Sequence, residues 1–222
     1  MEAYQLEIKS SEQTQAGGRS LLYSLLSQAF HFPSAEHYER VKGGQFADEV
    51  QGVIASLPYN GLKGGELGRG IGTSYEEFQS IFIAVFEIGG AYGRPYSLYE
   101  AEYGGGRMKV MEEVLRFYHH FGLRLSEQKR DRPDHLALEF EFMHLLTFKE
   151  TEALILGKEK GAYLRGEQDF LRFHLSDISA ALASGIGGKE VPFYGELVRL
   201  AESFIQKDLA YLQGVDKGGQ NG

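Results

Sequence analysis

Two short stretches concentrate the groups able to do chemistry. Arg132-Pro133-Asp134-His135 sets a carboxylate beside an imidazole at the mouth of an apolar run, Leu136 to Leu146. Asp134 falls where a helix begins, and negative charge is favoured in a first turn. His135 can donate, accept or titrate near neutral pH. The same residues also make a good helix start, with Pro133 at the first helical position. The second stretch is Pro95-Tyr96-Ser97-Leu98-Tyr99-Glu100, and Tyr92, Tyr96, Tyr99 and Tyr103 crowd the irregular segment around it. Tyrosine offers a large contact area with a polar tip, which suits peptide recognition. A loop stapled to the body by its rings reads equally well.

Other candidates carry less. Gly104-Gly105-Gly106-Arg107-Met108-Lys109 would offer free N–H groups and a helix dipole to an anion. It lacks the spacing of a phosphate loop, and no strand precedes it. Glu141 and His144 form a Glu-x-x-His unit, but a di-iron bundle needs a second copy and further inward carboxylates. His119 and His120 are adjacent and point to different sides of a helix. No Ser/His/Asp signature is visible, and no cysteine is present to act as nucleophile or thiolate ligand. The expectation is therefore no catalytic residue, no metal site and no cofactor.

The elements that position these residues read as helices. Leu21, Leu22, Leu25, Leu26, Ala29 and Phe30 recur at helical spacing, giving a helix over 18–32 stopped by Pro33. Phe46 to Leu57 makes a second, closed by Pro58. A glycine-rich loop, 61–72, leads to Ser74 as an N-cap with Glu76 and Glu77 in the first turn. Helix resumes over 107–121 and again from Pro133 to about Lys160. This last segment is apolar on nearly every side, as a central buried helix would be. Two more helices follow, near 166–184 and 192–212. Strand alternation and internal repeats are missing. The expectation is an all-α, single-domain bundle of about seven helices over 17–213, with a flexible segment at 1–16 and a disordered tail at 214–222.

Composition fits an ordinary globular chain of 222 residues, 42% hydrophobic and 24% charged. The net charge of −8 argues against nucleic acid and is compatible with a basic peptide. No secretory signal and no apolar stretch long enough to cross a bilayer is read, so the expected location is the cytoplasm without stable membrane insertion.

Taken together and in order, PYSLYE at 95–100 and RPDHLALEFEFMHLL at 132–146 resemble the TorD/DmsD/NarJ family of redox-enzyme maturation chaperones. The resemblance is sharp over about 50 residues, 92–144. It is closest to chaperones of the type II dimethyl-sulfoxide-reductase group, whose clients resemble nitrate, selenate and chlorate reductases and ethylbenzene or dimethylsulfide dehydrogenases. It implies a helical, non-catalytic domain that binds the leader, often a twin-arginine leader, and the apo form of a molybdopterin oxidoreductase catalytic subunit. Such a chaperone assists cofactor insertion and delays export. It also implies a leader site at Tyr96, Tyr99, Glu100, Pro133, Asp134 and His135. Asp134 would accept hydrogen bonds from a leader arginine, and His135 would orient Asp134 or contact leader backbone. Tyr96 and Tyr99 would wall the groove. One residue departs from the pattern: Arg132 stands where many relatives carry an acid, which weakens the case for an acidic pocket there. Family members include monomers and domain-swapped dimers, and both states stay open. A metal- or nucleotide-binding helical enzyme, or a helical partner of an unrelated protein, are the alternatives.

Overall fold

The computed structural model describes residues 7–68, 71–89, 95–125, 131–186, 191 and 193–219, the last four by backbone alone. Its elements are α1 (Ser11–Phe30), α2 (Ala35–Lys42), α3 (Gln45–Ile54), α4 (Tyr75–Phe82), α5 (Arg107–His120), α6 (Leu136–Leu156), α7 (Gly161–Phe170), α8 (Ser176–Ile186) and α9 (Tyr194–Gly219). Single π-turns, Ile83–Glu87 and Leu171–Leu175, extend α4 and join α7 to α8. The all-α class holds, and among the described residues the only β pairing is one isolated bridge.

The molecule is organised around α1 and α6. They run antiparallel: Gln13 Nε2 donates to the Leu154 carbonyl at 3.4 Å, Ser20 Oγ reaches the His144 carbonyl, and the Phe30 and Phe140 rings stack 5.7 Å apart. Helix α6 buries Leu136, Phe140, Phe142, Met143 and Leu146, as its all-round apolar pattern predicts. It stops at Gly157, whose left-handed backbone closes the last turn.

Several boundaries differ from the sequence expectation, each for a local reason. Helix α1 begins at Ser11, inside the segment expected to be flexible, because Ser10 and Gln13 form a reciprocal capping box. Gly17 and Gly18 continue it rather than start it. A Cβ on Gly18 would lie 2.2 Å from Ser56 Oγ, so the glycine lets the next segment approach. Helix α2 was not foreseen: Ser34 caps it, and it buries only Tyr38, Val41 and His37. Gly166 likewise lies inside α7, where its missing side chain makes room for the Phe121 ring. Helix α9 continues to Gly219, past the expected domain end; the proposed start at Pro192 lies outside the described residues. Pro133 does not open α6. It sits in a turn, and the helix starts three residues later for a reason that belongs to the site.

Candidate functional site

The two motifs meet. Tyr99 and His135 form an antiparallel bridge, with Glu100 N–H donating to the Asp134 carbonyl at 2.9 Å and Leu136 N–H to the Leu98 carbonyl at 2.8 Å. The extended backbone at Tyr99 therefore pairs with an extended His135 and keeps it out of the helix that begins at Leu136. His135 becomes the N-cap of α6, its Nδ1 accepting from Ala137 N–H at 3.2 Å. Tyr118 fixes the turn from below by donating to the Pro133 carbonyl at 2.9 Å.

Asp134 is completely buried, with 0% exposure. Arg132 grips it side-on, Nε to Oδ1 at 3.0 Å and Nη2 to Oδ2 at 2.6 Å, and Ala101 N–H adds 3.1 Å to Oδ2. Such a bidentate, charge-assisted pair is among the stronger hydrogen-bonded arrangements. The same guanidinium donates to Glu102 at 3.1 Å and lies 4.3 Å above the Tyr99 ring. Burial works against the charge on Arg132, but the hydrogen bonds to Asp134 and Glu102 outweigh it and raise its pKa. Hydrogen bonds from Arg132 and Arg107 hold the Glu102 carboxyl below its ordinary range. The departure noted in the sequence is thus a residue that ties Asp134, Glu102 and Tyr99 together.

His135 packs edge-on to Tyr99, with ring centroids 5.0 Å apart, and stacks on His31 at 6.2 Å. Burial, then the nearby His31, lowers its pKa to about 4, so it is a neutral imidazole at neutral pH. A cleft of ≈ 550 Å³ opens on one side of this histidine pair. Phe82, Phe86 and Pro95 give it an apolar wall, while Tyr99, Glu102, Arg132 and His135 give it a polar end. Phe32, half exposed, stands edge-on to Phe82 at 5.6 Å and extends the apolar wall toward solvent. A second cleft of ≈ 470 Å³ has His31 in its lining, with Leu123, Leu138 and Leu145 below and Asp131 and Glu141 as its carboxylates.

Glu100 turns inward. His174, held in the π-turn between α7 and α8, meets both Glu100 oxygens at 3.0 and 3.1 Å. Beneath lies Glu139, fully enclosed, whose oxygens meet no protein donor. Burial first, then the Glu100 carboxylate, raises the Glu139 pKa well above the ordinary value. A carboxylate next to a second carboxyl group disfavours a further negative charge, which favours the protonated form of Glu139.

The six expected residues therefore divide. Tyr99 and His135 line the cleft. Asp134 lies under Arg132, and Pro133 serves through its buried carbonyl. Glu100 is an internal tether. Tyr96 does not wall the cleft with Tyr99: its ring packs on α8, where a Cβ on Gly185 would be 2.2 Å from Tyr96 Cε1. Tyr92 lies outside the described residues. Sequence reasoning missed His174, His31 and the Phe82–Phe86 wall. The phenylalanines had a signal, since Phe78, Phe82 and Phe86 recur at helical spacing close before the tyrosine stretch. Other candidates resolve as structural. His144 Nδ1 lies 2.9 Å from both Ser20 Oγ and the Ser20 carbonyl. Arg107, at the triglycine turn, pairs with Glu102 at 3.0 Å. Among the described residues, no group of three or more His, Asp or Glu side chains is arranged to hold a metal ion.

Comparison with known proteins adds an independent line. The family described as nitrate reductase delta subunit matches residues 70–183, a span that contains both motifs. The perchlorate reductase assembly chaperone protein of Dechloromonas aromatica (strain RCB) is 29% identical over 198 residues, covering 86% of this chain and 88% of the relative. The dimethyl sulfide dehydrogenase assembly chaperone protein of Rhodovulum sulfidophilum is 31% identical over 189 residues, 81% of this chain and 74% of the relative. The chlorate reductase assembly chaperone protein of Ideonella dechloratans is 31% identical over 156 residues, 69% of each.

Proposed function

The chain belongs to the nitrate reductase delta subunit family of molybdoenzyme maturation chaperones, and we propose that it receives the leader of its client's catalytic subunit in the cleft beside Tyr99 and His135. It acts as a chaperone rather than a catalyst, in keeping with relatives named as assembly chaperones of reductases and a dehydrogenase. The observation that carries the leader reading is the bridge itself. It brings an aromatic wall, a neutral imidazole and a carboxylate-bound guanidinium to the edge of one concave surface.

A leader with consecutive arginines followed by an apolar run matches that surface in order. Its apolar run would lie along Phe82, Phe86 and Pro95, with Phe32 at the outer edge. Its arginines would reach the polar end at Tyr99 and Glu102. His135, uncharged, can accept or donate to leader backbone without repelling the arginines. The chain's net charge of −8 steers a cationic segment toward it. While the leader is held, the apo subunit stays in the cytoplasm, export is delayed and the molybdenum cofactor can be inserted.

Calorimetric titration with a synthetic arginine-pair leader peptide tests the reading. Tyr99→Ala should weaken binding about tenfold, the loss typical of one aromatic contact at the centre of an interface, with the melting point preserved. Unchanged affinity in Tyr99→Ala would move the leader elsewhere.

A further inference from the structure

Asp134, Glu102 and the Tyr99 face have the three properties that a guanidinium receptor needs. Asp134 offers a planar pair of oxygens to a planar fork of N–H donors. Glu102 supplies a second carboxylate, and the Tyr99 ring supplies a surface for the guanidinium to lie on. All three are satisfied at once by one side chain of this protein. Arg132 meets Asp134 at 2.6 and 3.0 Å, Glu102 at 3.1 Å and the Tyr99 ring at 4.3 Å. Arg132 is also the cover: its side chain keeps 23% exposure, whereas the Asp134 side chain beneath it has none. Both Arg132 and Glu102 line the 550 Å³ cleft, so a ligand there meets the guanidinium before it meets Asp134.

We propose that Asp134, Glu102 and Tyr99 form a guanidinium cradle that Arg132 occupies in cis, and that an arginine of the bound peptide enters by displacing it. The second half rests on the leader-binding reading above; the first does not. Arg132 is then a built-in competitor. Its removal from Asp134 must be offset by an equivalent guanidinium, because an unpaired buried carboxylate is strongly unfavourable. The cleft therefore selects arginine over lysine, whose compact ammonium cannot span both Asp134 oxygens and lie on Tyr99. It also holds its affinity down, since only the fraction of molecules with Arg132 swung out is competent.

Arg132→Ala opens the cradle. Methylguanidinium at millimolar concentration should raise the melting temperature of Arg132→Ala by a few degrees by binding only the folded form, and leave the wild type unmoved. Methylammonium should do neither, and Arg132→Ala/Asp134→Asn should lose the response. An arginine-pair leader peptide should bind Arg132→Ala on the order of tenfold more tightly than the wild type, and its lysine-pair analogue should not gain. If Arg132→Ala does not fold, Arg132→Gln carries the same measurements. A folded variant with no methylguanidinium response overturns the cradle. A methylguanidinium response with no binding of either peptide keeps the cradle and removes the leader reading. Peptide binding that is equal in wild type and variant, with no methylguanidinium response, keeps the leader reading and removes the cradle.

Discussion

Among the described residues, arginine grips a fully buried aspartate side-on in two places, and the settings could hardly differ more. Arg19, on α1, is wholly buried. It binds Asp208 of α9 side-on at 2.5 and 3.0 Å, Glu150 of α6 at 2.7 Å and Glu167 of α7 at 2.6 Å. Tyr23 and Tyr59 donate to Asp208 at 2.6 and 3.1 Å. Four helices are tied through one guanidinium whose side chain is 1% exposed. Arg132 makes the same side-on pair with Asp134, but it ties a loop to a turn and keeps one face on a cleft. The Arg19 centre fixes the packing; the Arg132 centre can exchange its partner.

The inner centre also carries more negative charge than one cation can balance. Burial is the largest cause of the raised pKa of both Glu150 and Glu167, with Arg19 opposing it, and Glu167 reaches about 8. Glu167 is therefore protonated at neutral pH, which is how three carboxyl groups share one arginine. At the outer centre, Glu102 is fully ionised and Arg107 supplies a second cation.

The largest effect should come from Arg19→Ala. Removing one partner of a buried ion pair leaves uncompensated charge and costs roughly 3–5 kcal/mol, a large part of a domain's stability. Urea denaturation measures it. If Arg132→Ala lowers stability as much as Arg19→Ala does, the contrast between fixed and exchangeable centres is lost.

The contrast sharpens with pH. The folded chain holds a proton on Glu167 that the unfolded chain releases above the ordinary carboxyl value of 4.5, so this group's contribution declines as pH rises from 4.5 to about 8. Glu167→Gln keeps the acceptor for Arg19 and should flatten that decline in melting temperature. His135 works in the opposite direction. Its pKa lies at about 4 in place of 6.5, so the unfolded chain takes the proton first and stability is lost as pH falls through that window. His135→Asn, which keeps an N-cap acceptor, should flatten the acid limb by a smaller amount, as the shift is smaller.

The smallest effect should be that of Arg107→Gln. Arg107 and Glu102 are both largely exposed, so their pair is well screened. The melting point should match the wild type, because Arg132 still holds Glu102 in the free chain.

The helices were legible where apolar residues recur at helical spacing, and α6 was legible as central because it is apolar all round. Breaks were misjudged where glycine serves a close approach instead of a turn, as at Gly18 and Gly166. Helix α2 was missed because it is short and half of its eight positions are charged, which leaves little apolar periodicity. The pairing of the two motifs was legible through their family resemblance. Their internal arrangement was not. Arg132 read as a disturbance to an acidic pocket, and only the fold shows that it pairs with Asp134 and Glu102. The direction of Tyr96 depends on Gly185, 89 positions along the chain, and His174 reaches Glu100 from a π-turn that leaves no mark in the apolar pattern.

The claim that the leader lies in the Tyr99–His135 cleft is tested most directly by photocrosslinking. The photoreactive residue p-benzoylphenylalanine is placed at Phe32, at the outer edge of the apolar wall, and separately at Leu156, at the far end of α6. Both positions are about half exposed. The leader should crosslink at position 32 and not at position 156. A bound leader that crosslinks at 156 and not at 32 would contradict the account.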